Sequence, residues 1–279
     1  MAHNSGEIGG PLIAALPMYD FPALAGIHDS LWSVLRRHLE RAGVAGVPPH
    51  LTRHRDHEGL WTDPKLLVGQ ACAFPLAKYF PQRTRHVATP RYSAPGCHAG
   101  TYRSALLVRI DDPATTIADL RGRRCVINEL HSNSGMNLLR AAIAPIAGGP
   151  KFFESLRISS SHRHSVQAVA AGDADVCAVD CVTKAHLHRL YPSEGIGLLR
   201  VLAWTAATAS LPIIAAATAT DATVAGIRAA LSALTLDPAF DEFRRELFLE
   251  GFDLAPVGEY SEPMQLECDA ARWGYPHLN

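Results

Sequence analysis

Short apolar runs alternate with helix-period segments along nearly the whole of this 279-residue chain, and no other feature limits its fold so tightly. "PLIAALPM", "PKLLVGQACAF", "RHVATPRY", "YRSALLVRI", "DLRGRRCVINEL", "SLRISSS", "DVCAVDCV", "GLLRVLAWT" and "SLPIIAAATA" read as strands. Between them, "IHDSLWSVLRRHLERAG", the stretch from Met136 onward, "HSVQAVAAG", "KAHLHRLY" and "ATVAGIRAALSAL" carry apolar residues at helical spacing. This pattern predicts an α/β fold with mostly parallel sheets. Neither an internal repeat nor a low-complexity linker interrupts it. If two domains are present, the chain passes between them through extended segments, for which "RSALLVRI" and "LLRVLAWT" are the candidates.

Composition bounds the function. Hydrophobic residues make up 48% and charged residues 19%, a globular balance, and the formal net charge of −1 offers no general field for nucleic acid or anionic membrane. An anionic ligand must then be held by local chemistry. No run approaches the roughly 18 apolar residues of a membrane span. The opening "MAHNSGEIGGPLIAALPMYD" lacks a cationic stretch and does not read as a signal peptide, so the expectation is a cytoplasmic chain or one whose leader has been removed. Six cysteines without a C-x-x-C pair do not fix the compartment.

The chemistry-bearing stretches fall at strand-to-helix junctions. Ser132, Asn133, Ser134 and Gly135 precede the helix from Met136. A helix start presents unpaired N–H groups and a positive dipole end, and so binds phosphate, sulfate or carboxylate without Arg or Lys. One serine would suffice as a cap, so the surplus of donors points to a ligand, although a capped helix alone accounts for much of it. "SSSHRHS" (Ser159–Ser165) is a second such junction, where His162 can donate to an anion. Parallel strands place their carboxyl ends along one rim, which would bring the two junctions together. Asp180, inside the apolar "VCAVDCV", should face a pocket, a donor or a cation, because an unpaired buried carboxylate is costly.

Metal and nucleophile readings are less supported. His162/His164 and His186/His188 form H-x-H pairs, and His54 and His57 flank Asp56; in a strand such pairs would share a face, but no third ligand stands at a recognisable spacing. There is no G-x-S-x-G, P-loop or G-x-G-x-x-G.

Taken together, "LPMYDF" (Leu16–Phe21), "LLVGQACAFPL" (Leu66–Leu76), "TPRYSAPGCHAGTYRSALLVR" (Thr89–Arg109), "DLRGRRCVINELHSNSGMNLLR" (Asp119–Arg140), "GGPKFF", Ser159–Thr183 and "LRVLAWT…LP" resemble, in order and spacing, the phosphonate-type substrate-binding proteins of ABC transporters, within the type 2 periplasmic-binding-protein fold. The resemblance implies two α/β lobes closing on a ligand in the cleft, with lobe one at 11–104 plus 205–279, lobe two at 105–204, and two crossing segments as the hinge. It implies that Ser132, Asn133, Ser134 and Gly135 hold the anion's oxygens, with His162 and Asp180 beside them. Tyr19 and Tyr102 would line the cleft from the other lobe, with Gln70 alongside. An acid just past the return crossing strand, which aminoalkyl-phosphonate binders of this kind set against the ligand amine, is lacking in "AWTAATASLP" (Ala203–Pro212). In the oxidising periplasm that the resemblance implies, Cys72 and Cys97 are candidates for a disulfide.

The expected function is capture of a small oxyanion, a phosphonate or phosphate-ester-like molecule, for an ABC permease. The expected partners are that ligand and the permease. No enzyme activity, cofactor, metal, nucleic acid or membrane insertion is expected, and the chain is expected to act as a monomer. The rival expectation is a cytoplasmic sensor or enzyme on the same two-lobe fold, with His162, Asp180 and a cysteine as its chemical groups.

Overall fold

The computed structural model describes residues 11–53, 56–255 and 261–279. Its strands, in chain order, are β1 (Ile13–Ala15), β2 (Leu66–Gln70), β3 (Thr84–Tyr92), β4 (Thr101–Tyr102), β5 (Ser104–Arg109), β6 (Arg124–Ile127), β7 (Ser155–Ile158), β8 (Val176–Asp180), β9 (Leu199–Trp204), β10 (Thr208–Ala209), β11 (Ile213–Ala216) and β12 (Leu249–Asp253). Its α-helices are α1 (Ala25–Arg41), α2 (His57–Trp61), α3 (Ala73–Tyr79), α4 (Leu138–Ala147), α5 (His162–Ala170), α6 (Cys181–Leu190), α7 (Asp221–Thr235), α8 (Phe240–Leu247) and α9 (Glu262–Arg272).

The strands form two five-stranded sheets, ordered β1-β2-β11-β3-β12 and β7-β6-β8-β5-β9. Residues before β5 and after β9 build the first sheet, and those between build the second, so each sheet is the centre of one lobe. Between the lobes the two passing segments pair with each other as β4 and β10, with Tyr102 opposite Thr208. Both sheets are mixed: β1 and β2, and β6 with β7 and β8, run parallel, whereas β11 runs antiparallel to both its neighbours and so does β5. The strand entering a lobe after a crossing arrives from the opposite direction, and this breaks the parallel order that alternation alone suggests.

Core formation follows the apolar spacing. α1 turns Leu31, Trp32, Leu35 and Leu39 inward, and Gly43, at φ +77°, closes it in a conformation open to glycine. α7 and α8 complete this face of lobe one through Ile227, Leu231, Phe240 and Phe243. In lobe two, α4 covers one face of the sheet through Leu139 and Ile143, and α5 covers the other through Val166 and Val169. α6 belongs to lobe two by sequence, yet its Cys181 and Val182 lie in the lobe-one core cluster, and Arg189 reaches back to the carbonyl of Arg245 at 2.9 Å.

The assignment of 205–279 wholly to lobe one is corrected at its end. From Ser261 onward the chain lies on lobe two: Ala270, Tyr275 and Leu278 are buried with Phe152 and Phe153. The final carbonyl accepts the N–H groups of Phe152 and Phe153 at 2.9 and 2.8 Å. Burial of these apolar side chains drives the crossover, and Glu267 fastens it by meeting Lys78 of lobe one at 2.8 Å and Arg140 of lobe two at 3.1 Å.

Candidate functional site

Three parallel strands, β6, β7 and β8, end on one rim of lobe two, and each hands the chain to a helix there. After β6 comes a single wide turn, Asn133–Asn137, in which the Asn137 N–H reaches back five residues to the Ser132 carbonyl at 3.0 Å. Such π turns open the helix start and recur at ligand sites. Ser132 caps the turn, its hydroxyl accepting the Gly135 N–H at 2.9 Å. After β7, Ser161 caps α5 and sets His162 in its first turn. After β8, Asp180 caps α6 by accepting the Thr183 N–H at 2.8 Å.

These junctions meet. The Ser134 hydroxyl lies 2.8 Å from Nε2 of His162 and 3.4 Å from the Ser132 hydroxyl. The same Nε2 is 3.6 Å from the second carboxylate oxygen of Asp180. Burial lowers the His162 pKa, against the pull of Asp180, so the imidazole favours its neutral form. Burial likewise holds Tyr19 and Tyr102 well above the ordinary phenol range, so both remain protonated donors.

The facing wall comes from lobe one and encloses with this rim a cavity of about 320 Å³. Tyr19, Phe21, Trp61, Pro75 and Leu211 supply its apolar part. Tyr19 at φ +65° and Ser160 at φ +69° both line it, one from each lobe; a side chain there costs about 1–3 kcal/mol, strain that tends to gather at functional sites. Arg163 is the one guanidinium or ammonium among the described residues of the wall, and Glu194 already binds it. Glu58 and Glu129 stand at opposite sides, so the cavity's fixed charge is negative. An anion here would rest on hydroxyls, a neutral imidazole and phenols rather than on an ion pair.

Not every expected residue faces this space. Ser132, Ser134, His162, Asp180, Tyr19 and Tyr102 line the cavity. Asn133 is turned inward: its amide donates to the Tyr102 hydroxyl at 3.0 Å and its carbonyl accepts from Asn137 at 2.9 Å, tying the wide turn to the crossing strand. Gly135 spends its N–H on Ser132, and a Cβ there would sit 1.8 Å from Oδ1 of Asn128. Gln70 lies behind the wall. Its side chain donates to the Tyr92 hydroxyl at 2.9 Å, while its backbone carbonyl accepts the Trp61 indole N–H at 3.1 Å. Trp61, Glu58 and Thr183 were not anticipated from the sequence; α2 is five residues long and carries no periodicity to reveal it.

One expectation is overturned. Cys72 and Cys97 do not pair, because β11 inserts between β2 and β3 and separates the loops that carry them. The Cys72 thiol stays free, and burial pushes its pKa up to about 11. The H-x-H pairs at 162/164 and 186/188 lie on α5 and α6, where residues two apart point to different sides, so the shared face of a strand is absent. His54 lies outside the described residues.

Residues 71–259 match the family described as ABC transporter, phosphonate, periplasmic substrate-binding protein. Among solved structures, the chain is similar to a binding-protein component of an ABC phosphonate transporter from Pseudomonas aeruginosa (16% identity, TM-score 0.73, covering 94% of this chain and 87% of that one). It is also similar to PhnD1 from Prochlorococcus marinus in complex with methylphosphonate (13% identity, TM-score 0.74, 94% and 98% covered). A Xanthomonas citri protein bound to ATP aligns at 14% identity and TM-score 0.70, with 94% and 97% covered. No curated protein matches the chain.

Proposed function

Because the chain belongs to the periplasmic substrate-binding family of phosphonate ABC transporters, we propose that it captures a small phosphorus oxyanion in the cavity between its lobes and presents it to a membrane permease. The observation that carries this reading is the convergence of Ser132, Ser134 and His162 on one wall, a set of uncharged donors at a helix start. Asp180 adds an acceptor, so the favoured ligand brings a proton on oxygen and satisfies that carboxylate. The cavity volume of about 320 Å³ falls in the range of small-molecule sites and leaves room for a substituent on the anion. Paired β4 and β10 act as the hinge, and ligand contacts bridging both walls favour the closed arrangement. Export to the periplasm and action without turnover are part of the same reading, which rests on the family.

Calorimetry with methylphosphonate, phosphate, sulfate and acetate tests it. Micromolar or tighter binding of a phosphorus oxyanion is expected, with the ligand recovered unchanged. The reading fails if the phosphorus compounds bind no better than acetate, or if one of them is turned over.

A further inference from the structure

Two thiols meet where the lobes join. Cys97 lies in the loop of residues 93–100 that links β3 to β4, and Cys181 is the first residue of α6, 84 positions later. Their sulfurs are 3.1 Å apart. The contact is built into the loop: Gly96 holds φ +112°, and a Cβ there would lie 2.8 Å from the Cys181 Cβ and 2.9 Å from the Trp204 ring. A residue with a side chain could not let the loop approach α6 so closely. From the other side, the Cys181 N–H donates to the Arg103 carbonyl at 2.9 Å, which pins the helix start to the crossing segment. Neither sulfur is among the cavity-lining groups, so the anion site makes no use of this pair.

We propose that Cys97 and Cys181 are a disulfide site, a covalent tie between the hinge loop and the helix that begins one residue after Asp180. The co-reactant is a small-molecule or protein disulfide, and exchange proceeds in two steps. The half-buried Cys97 sulfur attacks one sulfur of the reagent, forming a mixed disulfide and releasing one reagent thiol. The buried Cys181 sulfur then attacks the Cys97 side of that mixed disulfide, forming the Cys97–Cys181 bond and releasing the second reagent thiol. Two electrons pass from the protein to the reagent, and the two protein thiol protons end on the released thiols. The sulfurs need to close by only ~1 Å to reach bonding distance, a movement within the reach of side-chain rotation. The bond would enclose most of lobe two in one covalent loop and hold the start of α6 against the hinge, fixing the backbone from which Asp180 projects.

The folded full-length chain, treated with oxidised glutathione and then denatured without reductant, provides the test. Titratable thiols are expected to fall from the six of the reduced chain to four. Tryptic mapping should join the peptide Tyr92–Arg103 to His164–Lys184, with fragmentation placing the bond on Cys181 rather than Cys177. The oxidised chain should melt at least ~5 °C higher than the reduced one. Cys97→Ser and Cys181→Ser should each abolish the linked peptide. Six remaining thiols, a persistent glutathione adduct without an internal bond, or Cys97 joined to a different cysteine would each overturn the proposal, and mapping of the unmutated chain decides the matter even if a variant fails to fold.

Discussion

The hydroxyl of Ser134 and Nε2 of His162 stand 2.8 Å apart, although 28 residues separate them in the chain. The contact joins the turn after β6 to the first turn of α5, and it exists because β6 and β7 run parallel and finish side by side. It makes the two donor groups one surface: a ligand that meets the hydroxyl also meets the imidazole.

Replacing Ser134 by Ala removes a donor without touching a cap. Methylphosphonate affinity is expected to fall tenfold or more, about 1.4 kcal/mol, with the melting temperature unchanged. Ser132→Ala should lose both affinity and stability, since that hydroxyl also caps the turn. Calorimetry beside thermal melting separates the two effects; equal affinity in Ser134→Ala would remove this residue from the site.

Asp180 predicts selectivity. Methanesulfonate carries no proton on oxygen near neutral pH and meets the carboxylate as a like charge, whereas a monoprotonated phosphonate donates to it. The unmutated chain should prefer methylphosphonate by about tenfold or more. Asp180→Asn keeps a capping oxygen for Thr183 and should narrow that preference. Competition titrations with the two ligands measure it, and an undiminished preference in the variant would assign discrimination elsewhere.

Gly135→Ala places a Cβ 1.8 Å from Oδ1 of Asn128 and 3.2 Å from Cε1 of His162. Both neighbours line the cavity, and both must shift. The Asn128 side chain can turn aside, so the stability loss is expected to be about 1–3 kcal/mol. The affinity loss should be the larger effect. Thermal melting and calorimetry on the same sample compare them.

His186 predicts how stability responds to acid. Its ring is fully buried, 5.0 Å from Phe248 and 5.5 Å from Phe21, and burial, helped by Arg189, lowers its pKa to about 3. An unfolded histidine titrates near 6.5, so between these values the unfolded chain binds more protons than the folded one. Stability is therefore complete above about pH 6.5 and declines as pH falls, by up to about 1.4 kcal/mol per pH unit for this residue. His86, lowered to about 4 by burial, adds to the slope. His186→Phe should flatten urea-denaturation midpoints between pH 6.5 and 4.5; an unchanged slope would show that the ring already ionises in the folded chain.

Much of this was legible because it is local. The apolar periods of "IHDSLWSVLRRHLERAG" and "ATVAGIRAALSAL" gave α1 and α7, and the polar junctions at 132–135 and 159–165 marked the places where strands hand over to helices. A strand-to-helix turn needs a cap and small residues whatever surrounds it, so sequence alone reveals it. The five-residue α2 was invisible for the opposite reason. Its Trp61 is fixed by a carbonyl of Gln70 on β2, a contact that no pattern within "HEGLW" encodes.

Sequence by itself thus determined the α/β class, the two polar junctions, and Ser132, Ser134, His162 and Asp180 as residues worth bringing together. Tertiary structure decided which donors face the cavity, turning Asn133 toward Tyr102 and Gly135 toward Ser132. It also decided where the chain end docks and which thiols meet. The insertion of β11 between β2 and β3 parts Cys72 from Cys97, and the packing of α6 against the hinge loop gives Cys97 a different neighbour, Cys181. The division has one physical reason: caps and periods are set by residues a few positions apart, whereas strand order and side-chain facing are set by which distant surfaces bury one another.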